Sequence, residues 1–214
     1  MGDEKKLTGR GSKPDLIRRV RQKEWMTKLE AVSGKRFEVE STNGFVYLLI
    51  DCSGSMSASN KLQHAKLGAK GFPIDAHAKG YSIGLISFDS HASHLLELQR
   101  DLTVFERAVQ KLQIGGSTNM AEAIVSAVTH LGERPGTTVI CIATDGKPDD
   151  KGATLRAADD AKDRGIEIMT IGTDDADNEF LALLATTREL AVKVATARLR
   201  EGITSMARLL PDRS

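Results

Sequence analysis

The sequence predicts an α/β protein with a doubly wound, mostly parallel central sheet and helices on both faces. Apolar, strand-like runs alternate with amphipathic helical patterns along the 214 residues, and such alternation favours parallel strands joined by helices. Two of the runs, Val46–Ile50 and Val139–Ala143, contain only apolar residues, as strands buried on both faces do. Each run ends in carboxylate and hydroxyl side chains, at the sheet edge where such proteins bind ligands.

The composition is that of a globular chain, with 40% hydrophobic and 28% charged residues. A net charge of +1 gives no reason to expect binding to nucleic acid or to a membrane surface, and no apolar run approaches the length of a membrane span. Cys52 and Cys141 lie on predicted core strands, so no disulfide framework is implied. Residues 1–11 lack an apolar signal segment, and we expect a cytoplasmic protein.

Residues 1–40 are predicted to form an extension, and residues 41–214 to form the main domain. The extension contains 11 Lys or Arg against 7 Asp or Glu. A helix is expected from Pro14 to Ser33, with Trp25 on its apolar stripe, and a short strand from Lys35 to Glu40. This helix either packs onto the main domain or binds a partner.

The first half of the main domain alternates strands and helices. Its expected elements are, in order, strand Phe45–Ile50, helix Lys61–Lys79, strand Tyr81–Phe88, edge strand Ser93–Gln99 and helix Thr103–Leu112. Pro73 lacks an N–H and should bend or split the first helix, whereas Gly68 and Gly71 allow close packing on the sheet. Thr103 and Glu106 are spaced as a capping box.

The second half continues the same alternation. Its expected elements are a helix from about Asn119 to Leu131, strand Val139–Thr144, helix Ala153–Arg164, strand Ile166–Ile171, helix Asn178–Ala185, strand Leu190–Ala195 and a final helix. Gly165 is placed to end the helix before it. The final helix carries an apolar stripe that should pack on the sheet, formed by Leu199, Ile203, Met206 and Leu210.

Oxygen-bearing side chains recur in three loops of the main domain. Asp51, Ser53 and Ser55 follow the first strand, Thr118 lies in a Gly-Gly-Ser-Thr loop, and Asp145 follows the Val139–Thr144 strand. Hard oxygen donors of this kind suit Mg²⁺ rather than a soft metal. Any one of these loops alone is equally well explained as a turn or a helix cap. All three together favour a metal site.

This set of loops, in this order, resembles the von Willebrand factor A domain over roughly Val46 to Leu210. The resemblance implies a Rossmann-like architecture and a metal-ion-dependent adhesion site. It implies Ser53, Ser55 and Thr118 as direct hydroxyl ligands, with Asp51 and Asp145 acting directly or through bound water. It also implies Mg²⁺ as the bound ion, although the ligand set does not exclude Mn²⁺ or Ca²⁺. The partner it implies is a protein that donates an Asp or Glu carboxylate to the metal.

We therefore expect a stand-alone, intracellular, non-enzymatic binding module, serving as an adaptor in a cytosolic complex such as one with an AAA+ ATPase. The alternative is a Mg²⁺-dependent phosphohydrolase. Phosphatases of the haloacid dehalogenase type need a second Asp two residues after the first, and Ser53 occupies that position. A further alternative is that the basic segment Lys5–Arg36 binds RNA, although its charge excess is modest.

Other polar clusters are interpreted as solvated surface. Asp89, His91 and His94 lack a third imidazole or thiolate at suitable spacing, so we expect a hairpin loop there rather than a metal site. The segment Asp174–Glu179 lacks the glycine of a calcium loop and is expected to form a solvated turn and a helix N-terminus.

Charged residues also border the loop that contains Asp145. Asp149 and Asp150 either shape the surface that meets a partner or simply face solvent, and Lys147 has the same two interpretations.

Overall fold

A computed structural model describes residues 44–211 of the chain. The predicted extension of residues 1–40, with its helix Pro14–Ser33 and its strand Lys35–Glu40, lies outside the described residues and remains a prediction. The described part contains six strands: β1 Gly44–Asp51, β2 Tyr81–Phe88, β3 Ala92–Gln99, β4 Thr137–Thr144, β5 Glu167–Gly172 and β6 Ala191–Lys193. Its α-helices are α1 Lys61–Ala78, α2 Leu102–Gln110, α3 Met120–Leu131, α4 Lys151–Asp163, α5 Asn178–Leu184 and α6 Leu199–Leu209.

All six strands form one sheet in the order β3-β2-β1-β4-β5-β6. Every neighbouring pair is parallel except β2 and β3, which are antiparallel. The centre of the sheet is β1, whose residues Val46–Ile50 are completely buried, as expected for a strand covered on both faces. The prediction of an α/β fold with a mostly parallel sheet is confirmed, and β6 is shorter than the expected strand Leu190–Ala195.

Helices cover both faces of the sheet. Apolar side chains from α1, α2 and α6 pack with one face, and those from α3, α4 and α5 pack with the other. The predicted stripe of α6 is buried, since Leu199, Ile203 and Met206 are at most 2% exposed. None of the helices in residues 44–211 is long and apolar enough to cross a membrane.

Two expectations for α1 are corrected by the structure. Pro73 does not split the helix, which runs unbroken from Lys61 to Ala78; a bend at Pro73, the other expected effect, stays a prediction. Gly68 and Gly71 do not face the sheet but allow α6 to approach closely. A Cβ at Gly68 would lie 2.7 Å from the Arg200 carbonyl oxygen, and one at Gly71 would lie 2.7 Å from the Thr204 hydroxyl oxygen.

The N-terminus of α2 is capped by Asp101 and not by the predicted Thr103–Glu106 box. One carboxylate oxygen of Asp101 accepts hydrogen bonds from the backbone N–H groups of Thr103 at 2.8 Å and Val104 at 3.2 Å. Because Asp101 already satisfies these otherwise unpaired N–H groups, the helix begins at Leu102, before Thr103 can act as the cap.

The observed cap predicts unequal effects of two alanine substitutions. Asp101→Ala should lower the free energy of unfolding by about 1 kcal/mol, because two N–H groups lose their acceptor. Thr103→Ala, the matched substitution at an exposed position, should change it by less than about 0.5 kcal/mol. Urea denaturation of both variants measures the difference. A larger loss for Thr103→Ala would contradict the observed cap and restore the predicted one.

Candidate functional site

The candidate site lies where the strand order reverses direction. The chain places β2 on one side of β1 and β4 on the other, so the loops after β1 and β4 lead to opposite faces. A crevice forms at the carboxyl ends of two such strands. Asp51 ends β1, and Asp145 directly follows Thr144, the last residue of β4. The fold thus brings together two of the three loops that the sequence singled out.

The third loop, residues 115–119, is fixed against the first by two backbone hydrogen bonds. The N–H of Gly54 donates to the carbonyl of Gly116 at 2.8 Å, and the N–H of Gly115 donates to the carbonyl of Cys52 at 2.7 Å. A Cβ at Gly115 would overlap the carboxylate of Asp89. Only glycine therefore fits at this position.

Side chains connect the loop after β4 to both of the others. The Thr118 N–H donates to the Asp149 carboxylate at 2.9 Å, and the Asp149 N–H donates back to the Thr118 carbonyl at 3.0 Å. The Thr144 hydroxyl donates to Oδ2 of Asp51 at 2.6 Å and accepts from the Gly146 N–H at 2.8 Å. All three loops are thus held in one arrangement by direct hydrogen bonds.

Four of the five side chains expected to bind metal are buried, and one is exposed. Asp51, Ser53, Thr118 and Asp145 are between 0% and 6% exposed, whereas Ser55 is exposed. The hydroxyl oxygens of Ser53 and Ser55 lie 3.0 Å apart. The group is therefore accessible from solvent on the side of Ser55.

The carboxylate of Asp51 is held in a fixed orientation. Its Oδ1 accepts the backbone N–H of Ser53 at 2.8 Å, and its Oδ2 accepts the Thr144 hydroxyl. Burial, and to a smaller extent the negative charge of Asp145, raise the pKa of Asp51 to about 6, against the lowering effect of these hydrogen bonds. A nearby cation would relieve the cost of ionising this buried group.

A buried lysine, Lys61, lies beside Asp145. Its ammonium is 3.2 Å from Oδ2 of Asp145 and 2.7 Å from Oδ2 of Asp175, and its side chain is only 4% exposed. Burial lowers the pKa of Lys61, but the carboxylates of Asp175 and Asp145 outweigh this effect, so that the pKa is raised. Lys61 is therefore a permanent positive charge at the edge of the site.

The residues present fit a hard divalent cation. Oδ1 of Asp145 is buried and has no hydrogen-bond partner among the described residues, although an unpaired buried oxygen is costly. Lys61 binds the other oxygen of the same carboxylate. A divalent cation held by Asp145 together with Ser53 and Ser55 would supply the missing partner, and these side chains offer only oxygen, as Mg²⁺ prefers.

Sequence reasoning missed Lys61 and Asp175 at this site. Lys61 looks like the first residue of an ordinary helix. Its position depends on Ser59 and Asn60, whose φ angles of 51° and 56° turn the chain just before α1. Asp175 was expected to lie in a solvated turn; it is indeed exposed, but it pairs with Lys61.

The other acidic predictions have mixed outcomes. Asp177 caps α5 by accepting the Phe180 N–H at 3.1 Å, as expected of a helix N-terminus. Asp150 is exposed and caps α4 by accepting the Ala153 N–H. Asp149 is exposed, and its carboxylate accepts the Thr118 N–H. A role of either residue in a partner surface stays a prediction. Lys147 is exposed.

The interpretation of His94 as part of a solvated loop is wrong. His94 lies on β3 and its side chain is 20% exposed. Its ring stacks on that of His130, with 3.7 Å between the ring centroids. His91 remains at the hairpin turn and is 83% exposed, as expected. The imidazole that lies against His94 belongs to His130 on α3, more than thirty residues away in the chain, so the local spacing around His94 could not reveal it.

Lys61→Met should destabilise the metal-free protein, because the carboxylate of Asp145 would remain buried without its ion-pair partner. We expect the free energy of unfolding to fall by about 3 kcal/mol. The matched control is Lys151→Met, which breaks an exposed pair with Asp177 and should cost less than about 1 kcal/mol. Urea denaturation in EDTA measures both. Equal stability of the two variants would show that the Lys61 pair contributes nothing.

Comparisons with known proteins agree with this architecture. The UPF0353 protein of Mycolicibacterium vanbaalenii is 32% identical over 145 residues, which cover 59% of this chain and 43% of that protein. The chain thus spans less than half the length of the curated relatives it matches.

Solved structures show the same fold at lower identity. The vWF domain of the type V pili tip protein Mfa5 from Porphyromonas gingivalis has a TM-score of 0.71 at 15% identity, covering 79% of this chain and 95% of that one. Proximal thread matrix protein 1 from the mussel byssus, with a zinc-occupied MIDAS motif, has a TM-score of 0.68 at 17% identity, covering 79% and 46%. These likenesses concern the fold alone.

The sequence profile of the von Willebrand factor type A domain matches residues 46–205. This range includes every strand and helix of the described fold except the first residues of β1 and the end of α6. The chain therefore belongs to the von Willebrand factor type A domain family.

Proposed function

We propose that this chain is a non-enzymatic protein-binding module that recognises its partner through a bound Mg²⁺ ion. Domains of this family mediate protein–protein interactions, in some members through a metal. The proposed metal-binding residues are Asp51, Ser53, Ser55, Thr118 and Asp145. The observation that carries the proposal is the buried Oδ1 of Asp145, which has no hydrogen-bond partner among the described residues and lies in a site whose loops are joined by direct hydrogen bonds.

The chemistry of the site suits a metal that keeps one position open. Hydroxyl ligands are neutral, so Ser53, Ser55 and Thr118 leave the charge of a divalent ion largely uncompensated. Lys61 further reduces the negative charge available from Asp145. Metal alone should therefore bind weakly. An Asp or Glu carboxylate of a partner should bind the metal, and the bound partner should in turn increase the affinity of the site for the metal.

The accessible side of the site supports a protein partner. Ser55 is exposed, and so are Lys147 and Asp149 in the loop after β4. The ligand set fits Mg²⁺ best, and Mn²⁺ or Ca²⁺ would use the same oxygens.

We further propose a cytoplasmic adaptor role, with an AAA+ ATPase as the partner class suggested by the family resemblance. Cys52 and Cys141 are both free thiols in the core, which is the usual state of cysteines in a reducing compartment. Burial raises the pKa of Cys52 to about 12, so its thiol is inert. Fractionation of cells that express the full chain tests the location.

Metal binding can be tested without knowing the partner. Mg²⁺ should raise the melting temperature of the EDTA-treated protein, because it binds only the folded state. Ser55→Ala combined with Thr118→Ala should remove this increase by deleting two ligands. The matched control, Thr103→Ala combined with Thr129→Ala, removes two exposed helix hydroxyls and should keep it.

Partner capture then tests the function. Immobilised protein should retain a set of lysate proteins in Mg²⁺ and release them in EDTA. The same set should be lost with the Ser55→Ala, Thr118→Ala variant and kept with the control variant. A bound set that ignores both metal and mutation would refute the proposal, and so would a Mg²⁺-dependent set that the ligand variant still binds.

A further inference from the structure

A second group of ligating side chains lies apart from the proposed Mg²⁺ site. It consists of His94 and Glu97 on β3 and His130 near the end of α3, and one ligand atom from each lies within 4.8 Å of the others. His130 is roughly 16 Å along the helix axis from Asn119, which begins α3 beside the Mg²⁺ site. The two groups are therefore at opposite ends of the same helix.

An irregularity in β3 brings His94 and Glu97 together. Residues three apart on a regular strand point to opposite faces of the sheet. Here His94 pairs with Ile86 and Leu96 pairs with Leu85, so one step along β2 corresponds to two along β3. This bulge re-aims the side chains beyond it, and Nδ1 of His94 lies 3.7 Å from Oε1 of Glu97.

Both imidazoles are held by other groups. Nδ1 of His130 lies 2.8 Å from the carbonyl oxygen of Ser126, which can only accept, so Nδ1 carries the proton and Nε2 keeps a lone pair. The hydroxyl of Tyr47, a buried residue of β1, lies 2.9 Å from Nε2 of His94 and 3.5 Å from Oε2 of Glu97. Contacts of this kind orient metal-binding histidines.

The two histidine rings are 3.7 Å apart at an angle of 15° between their planes. Two protonated rings at this distance would repel each other. Burial, and then the proximity of His130, lower the pKa of His94. The neutral imidazole is the form that binds a metal.

We propose that His94, Glu97 and His130 bind a divalent transition-metal ion of the Zn²⁺ class, as a site separate from the Mg²⁺ site. Two imidazoles and one carboxylate form a ligand set that selects such ions over Mg²⁺. Donor atoms around tetrahedral Zn²⁺ lie about 3.3 Å apart. The three ligand atoms, which lie within 4.8 Å of one another, must therefore approach by up to about 1.5 Å. The exposed side chain of Glu97 can rotate to supply part of this movement.

A metal here would join the edge strand β3 to α3, which the described hydrogen bonds connect only indirectly at this point. With three protein ligands, its fourth position would face solvent beside Glu97. The site is independent of the proposed function, because none of its ligands contacts the residues proposed to bind Mg²⁺.

This inference is tested by titrating Zn²⁺ into the EDTA-stripped full chain in saturating Mg²⁺. Binding is measured by calorimetry. The chain should carry Ser55→Ala and Thr118→Ala, so that Zn²⁺ binding at the Mg²⁺ site does not contribute. One saturable Zn²⁺ equivalent is expected. Glu97→Gln, at an exposed position that folding does not depend on, should weaken it at least about tenfold, and so should His130→Gln.

The matched control is His64→Gln, which removes a half-buried imidazole of α1 outside the proposed ligand set and should leave Zn²⁺ binding unchanged. Co²⁺ should bind at the same site and give a visible absorption band that Glu97→Gln shifts or removes. Absence of saturable binding would overturn the inference. Zn²⁺ binding that is equal in the parent chain and in Glu97→Gln would do the same, whatever the result of the Mg²⁺ experiments.

Discussion

The buried hydrogen bond between the Thr144 hydroxyl and the Asp51 carboxylate is the contact on which the site depends. It joins the ends of β1 and β4, the two strands between which the sheet changes direction. On one side it fixes Asp51, and on the other the same hydroxyl accepts the N–H of Gly146 and so shapes the loop that carries Asp145. Without it, two carboxylates at the end of an apolar core would have no common orientation.

At this edge of the sheet, the negative charges of Asp51 and Asp145 are compensated in part by the ammonium of Lys61, in addition to any bound metal. Asp51 and Asp145 are both almost completely buried, and two uncompensated charges there would be costly. Lys61 compensates part of that cost from one side, and leaves one oxygen of Asp145 without a partner. Lys61 thus neutralises part of the charge of Asp145 and leaves one oxygen available for the proposed metal.

The sequence contained enough information to predict the sheet and the three loops, because both depend on local pattern. Val46–Ile50 is uninterruptedly apolar, and a strand of that kind can only lie in the centre of a sheet. The polar residues that follow it must then lie at the sheet edge, and the same reasoning applies to Asp145.

Features that depend on departures from regular geometry were not predictable. Lys61 reaches Asp145 because Ser59 and Asn60 adopt left-handed conformations, and nothing in the residue types demands this. His94 and Glu97 share a side because of a bulge whose position no period-two pattern reveals. The cap of α2 was missed for a different reason: Asp101 and Thr103 are both good caps two residues apart, and local preference does not rank them.

The close approach of α1 and α6 has a consequence for how this sequence can change. Gly68 and Gly71 leave room for the backbone at Arg200 and for the side chains of Ile203 and Thr204. A side chain at Gly68 would meet the backbone of Arg200, which no smaller residue on α6 could relieve, whereas a side chain at Gly71 would meet only the side chain of Thr204. A smaller residue at position 204 should therefore compensate for a substitution of Gly71 but not for one of Gly68, although the two helices lie more than a hundred residues apart in the chain.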